Sequence, residues 1–259
     1  MSGGLKSLRM EKIDLAIIGG GRKQSRDLIQ KCVDDVSLVL SDLDVCGIWI
    51  DRCGRWWLLE EDGWKGCVLC GNRLMEVNGC LEIGAKEIGC RINKMWPIAN
   101  MSEFSAVGLA SWLEFSGVEV VSTTGLWSGV LQDSDMIKMA KDWPAYEQPI
   151  VGASQYIIGF VGQDNFLPSK LCQVEGDKLE VAGGQLERVV QLKIIDLIGQ
   201  YKLRDLGIFI IRANSEDWKV KNLILQPEVH CDSWWAKLWQ VSGLSYDGII
   251  KRAIGINGF

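Results

Sequence analysis

Glu228, His230, Cys231 and Asp232 stand close together near the end of the chain. Oxygen, nitrogen and sulfur donors in one short stretch are the raw material of a divalent-metal site. One carboxylate beside a neutral imidazole suits zinc better than magnesium, which prefers several oxygen ligands. His230 is the single histidine in the chain. The competing expectation for a histidine beside a strand end is a hydrogen-bonded structural residue. A second candidate is the pair Cys67 and Cys70, whose spacing is that of zinc ligands. Cys80 and Cys90 do not complete a second close pair, and Cys67 lies in the apolar stretch Gly66-Cys67-Val68-Leu69-Cys70. Buried thiols are therefore expected there. A third candidate is Gly19-Gly20-Gly21, because glycines between a strand and a helix can cradle phosphate. No Gly-Lys-Ser/Thr follows and no G-x-G-x-x-G spacing is present, so the expectation is a plain strand-to-helix turn.

The elements around these residues follow from hydrophobic periodicity. Ile13 to Ile18 is an apolar run, and Leu28, Cys32, Val33, Val36 and Leu40 have helical spacing. Strand, turn and helix in that order open a doubly wound α/β unit. Val45 to Ile50, Trp56 to Leu59 and Met95 to Ala99 read as further strands, with small hairpins across 64–92. Residues 103–116 and Leu126 to Lys141 read as helices around a strand at Val118 to Val121. Strands are expected at 155–161, 171–181, Gly207 to Ile211 and Leu223 to Leu225. Leu186 to Tyr201 and Tyr246 to Ala253 read as helices, and a helix starting at Trp234 would be capped by Ser233. Twelve tryptophans include the adjacent pairs Trp56-Trp57 and Trp234-Trp235. Neighbours on a strand point to opposite faces, so one of Trp56 and Trp57 is expected outside the core.

Bulk properties narrow the function classes. The chain has 259 residues, 47% of them hydrophobic and 24% charged, with net charge −5. That length allows two compact domains. The acidic balance gives no footprint for nucleic acid. No apolar run reaches the ~18 residues of a membrane span, and the opening segment lacks the longer apolar core of a secretory signal. A cytoplasmic protein with its nine cysteines reduced is expected. Met10 is a candidate alternative start.

Several segments, read in order, resemble the D-alanine–D-alanine ligases of the ATP-grasp superfamily. Lys237-Leu238-Trp239 and Gly243-Leu244-Ser245-Tyr246 match the closing segment of that family. LAIIGGGR resembles its first strand and turn, and WIDRCGRWWL its Ile-Asp-x-x-Gly-x-Trp hairpin. WLEFSGVEVVSTTGLWSGVLQDSDMIKMAK and QYIIGF resemble the segments that follow. The order of the matches carries the resemblance, which implies an α/β fold. Residues 1–97 would form a Rossmann-like N-terminal domain. Residues 98–150 would be a central segment with its lid hairpins largely missing, and 151–259 a reduced ATP-grasp-like domain.

The same resemblance implies site residues and shows departures. Glu228 falls on the family's metal glutamate, and His230 stands for the asparagine two residues on. Ser233 matches a serine that holds the second substrate's carboxylate, and Gly20 and Gly21 match the first substrate loop. The glutamate of that loop is replaced by Ser25 and its last serine by Ile29. Ser102-Glu103-Phe104-Ser105 stands for Gly-Glu-Asp-Gly, and no lysine accompanies Asp133-Ser134-Asp135. Between Pro149 and Gln155 stand only Ile150-Val151-Gly152-Ala153-Ser154, too few residues for the lid hairpins and phosphate loop. Phe209 and Ile211 are aligned with the family's Arg-x-Asp, with Arg212 one residue beyond, on the opposite face of the strand.

The leading expectation is a ligase-like protein of cell-wall lineage that is catalytically degenerate and acts by binding or assembly. Its partner would be itself or an active ligase, through the N-terminal domain. ATP and magnesium are expected only if the family activity is retained. The alternatives are an active ATP-dependent ligase with a divergent site and an ATP-independent module binding a small amino acid.

Overall fold

The computed structural model describes residues 13–21, 23–51, 56–60, 63–66, 92–98, 119–120, 152–162, 167–201, 203, 205–214, 217–224 and 227–255. The Cys67–Cys70 pair, the expected helices at 103–116 and 126–141, and the short segment 150–151 lie outside them.

The first sheet grows from a parallel pair. β1 (Ile13–Gly21) leads through α1 (Lys23–Val39) to β2 (Val45–Asp51), in register from Leu15 opposite Val45 to Gly21 opposite Asp51. β5 (Ile92–Pro97) pairs parallel on the other side of β1 and carries β6 (Glu119–Val120). β3 (Trp56–Glu60) and β4 (Gly63–Gly66) extend the β2 edge antiparallel. Leu15, Ala16, Ile17 and Ile18 are all buried, the pattern of a central strand covered on both faces. Ile29, Cys32, Val33 and Val36 bury one stripe of α1. The close fit of α1 needs Gly19, where a Cβ would stand 3.1 Å from Ile29 Cδ1. Trp57 is half-buried, tilts against Trp49 with centroids 5.9 Å apart, and donates its Nε1–H to buried Asp51 at 3.3 Å.

The second sheet is antiparallel, in the order β10-β9-β7-β11-β12. Its strands are β7 (Ser154–Gly162), β9 (Cys172–Glu175), β10 (Lys178–Val181), β11 (Asp205–Ala213) and β12 (Trp218–Ile224). The short β8 (Leu167–Pro168) also pairs with β7. The single strand expected at 171–181 is a hairpin, turned at Gly176 with φ of 58°. The helix α2 (Gly184–Tyr201) lies between β10 and β11 in sequence. It packs Val190, Ile194, Leu197 and Ile198 with Ile158, Phe160, Phe209 and Ile211 in one core.

The opposite face of this sheet is covered by α3 (Trp234–Val241) and α4 (Tyr246–Ala253). A Cβ on Gly159 would stand 2.9 Å from Leu238 Cδ2 and 3.6 Å from Trp239 Cζ2. The glycine therefore lets α3 lie directly on β7. Trp235, Leu238, Trp239, Ile249 and Ile250 share one core with α1, Trp96 and Ile98 of the first sheet. Trp234 points outward while Trp235 stacks edge-on to Trp96 at 6.3 Å. The two short helices thus fasten one sheet to the other, and Lys94 Nζ donates to the Ile254 carbonyl at 2.6 Å. No described helix is long and apolar enough to cross a membrane.

Candidate functional site

β12 delivers the chain to the loop 227–233, where the sequence concentrates its ligating side chains. The loop is held from both sides. Tyr246 of α4 donates its hydroxyl to the Val229 carbonyl at 2.6 Å. Cys231 N–H donates to Asp35 Oδ2 of α1 at 2.8 Å, and Ser233 N–H to the His230 carbonyl at 3.0 Å. Lys31 Nζ meets Asp232 Oδ2 at 2.9 Å on the surface, which raises the lysine pKa and lowers the aspartate's through their mutual hydrogen bond. Val229 is fully buried and anchors the loop in the shared core.

The thiols of Cys32 and Cys231 and the Tyr246 hydroxyl around the loop all have raised pKa values and stay neutral. Burial pushes the Cys32 thiol up to about 12; backbone hydrogen bonding at Val229 and His230 offsets part of that, and nearby Glu228 adds to it. Burial likewise raises the Tyr246 hydroxyl, assisted by the Asp35 charge. Cys231 is raised by burial and by its hydrogen bond to Asp35. None of these groups is tuned toward a nucleophile, which needs a lowered pKa or an adjacent base.

Glu228 and His230 do come together. His230 Nε2 lies 3.2 Å from Glu228 Oε2, with side-chain exposures of 11% and 44%. His230 Nδ1 is buried and has no hydrogen-bond partner among the described residues. Among the described residues, no set of three His, Cys, Asp or Glu side chains is arranged to hold a metal ion. The carboxylate is taken up by the imidazole, and the pair by itself offers one oxygen and one nitrogen.

The other expected residues are more dispersed. Ser233 is buried at the N-cap of α3, with φ −65° and ψ 158°, and its hydroxyl accepts from Ala236 N at 3.1 Å. Gly20 and Gly21 are corrected from turn to strand. They extend β1 opposite Ile50 and Asp51, and neither has a positive φ. They belong to the other sheet from the strand that leads into Glu228. Ser25 is buried on α1.

β11 needs the largest correction. Phe209 and Ile211 are fully buried on the face covered by α2. The alternate residues Leu206, Ile208 and Ile210 face the core that contains Val229, Leu238 and Trp239. Arg212 follows them in the two-residue repeat, half-buried at the end of the row. The positions of β11 that look toward the loop are therefore Ile208 and Ile210, one residue out of step with the sequence expectation. Sequence reasoning also passed over Asp35 and Tyr246, which hold the loop. The signal for Asp35 was a carboxylate at the border of an otherwise apolar helix stripe.

This arrangement of two sheets joined by a C-terminal helix pair occurs in solved structures. The VanG D-Ala:D-Ser ligase from Enterococcus faecalis aligns with 95% of this chain and 99% of its own, with TM-score 0.65 and 10% identity. The D-alanine–D-alanine ligase from Aeromonas hydrophila aligns with 93% of this chain and 98% of its own, at TM-score 0.63 and 13% identity. The chain has the fold of the D-alanine–D-alanine ligases. The ligase from Bacillus anthracis, solved with ATP, aligns over 95% of this chain and 100% of its own at TM-score 0.55 and 9% identity. No protein-family model matches the sequence, and no curated protein matches it. The likeness therefore resides in the course of the backbone.

Proposed function

We propose that this chain is a D-alanine–D-alanine ligase-like protein that has lost ligase chemistry and acts by binding or assembly. The observation that carries the reading is the polar deficit around Glu228. Magnesium bridging nucleotide phosphates needs several hard oxygen ligands. Among the described residues, Glu228 is the one carboxylate at the loop in the metal-type position, its oxygen sits 3.2 Å from an imidazole nitrogen, and the nearby face of β11 offers Ile208 and Ile210, with Arg212 the one charged group at the end of the row. Hydrocarbon side chains cannot stabilise the charge that develops during acyl-phosphate formation. The described residues of the loop and of the facing strand do not offer the oxygen ligands that ATP and magnesium would need.

The parallel β1-α1-β2 unit supports a Rossmann-like N-terminal domain over 1–97, and the antiparallel sheet supports the reduced ATP-grasp-like domain over 151–259. The test uses the purified full chain with ATP, magnesium and D-alanine. Phosphate release at the level of a protein-free control is expected. Release that is abolished by Glu228→Gln would overturn the reading. In a thermal-shift experiment, stabilisation by D-alanine without nucleotide would point instead to a small-molecule binding module.

A further inference from the structure

We draw no further inference here: the strongest candidate, the cationic corner where half-buried Arg212 of β11 stands opposite Lys219 of β12, belongs to the sheet face already described with the loop, and Lys219 is already engaged, so nothing there selects a further ligand.

Discussion

The segment Ser233 to Ile254 and the loop that precedes it have the same neighbours and opposite character. In the helix pair, Ser233 and Ser245 each cap a helix by accepting a backbone N–H at 3.1 Å, and Trp235, Leu238, Trp239, Ile249 and Ile250 are buried without exception. In the loop and the adjoining face of β11, the Glu228 and His230 side chains meet each other, His230 Nδ1 has no partner among the described residues, and Ile208 and Ile210 present hydrocarbon. Both regions pack with α1. The difference teaches that holding two sheets together and presenting polar groups in a loop place demands on separate residues. The apolar side chains of β11 serve the first and add nothing to the second.

Trp239→Ala would strike the helix pair hardest. It removes a fully buried ring between the sheets, and a loss of about 3–5 kcal/mol is expected by chemical denaturation. An equal loss from Glu228→Ala would erase the contrast between the regions.

The thiol beneath the loop comes next. Its folded pKa of about 12 lies above its ordinary value of 9.0. A raised pKa means stability that is fully present below pH 9 and is lost as pH rises toward 12. The fall should be on the order of a few kcal/mol over that window, and denaturation of Cys32→Ala across the same pH range should show a flatter decline. An unchanged decline would mean that the loop does not seal Cys32 from water.

Ser233→Ala isolates the cap. A cost of about 1 kcal/mol is expected from melting curves. A larger loss, or one relieved by a small carboxylate ligand, would give Ser233 a binding role beyond capping. Lys31→Ala should do least. Its bridge to Asp232 is exposed, so its melting curve should overlay the parent's at low and high salt. A clear shift would show that the surface bridge, and not Asp35 and Tyr246, fixes the loop.

Much of this architecture was legible before any coordinates. The helix over Tyr246 to Ala253 has the boundaries that its periodicity and the preceding Ser245 indicate. β1, β2, β3, β7 and α2 also follow runs whose apolar spacing is unambiguous. The site was less legible for particular reasons. Gly19 to Gly21 resembles a turn in one dimension, yet β2 offers it a partner strand and the extended form wins. On β11 every residue from Leu206 to Ile211 except Gly207 is a large apolar one, so no alternation marks which side faces the loop. Only the helix on each face decides that.

The sequence alone therefore located strands such as β2 and β7 and the helices over Leu186 to Tyr201 and Tyr246 to Ala253, and it marked Leu238 and Trp239 as packing residues. Those properties depend on local spacing and side-chain type. The tertiary structure decided that Glu228 is engaged by His230, that Ile208 and Ile210 rather than Phe209 and Ile211 look toward the loop, and that Val189, Leu192 and Ile195 of a strongly apolar helix remain outside. Each of these depends on which distant element covers a given face, a matter of long-range packing that spacing along the chain does not encode.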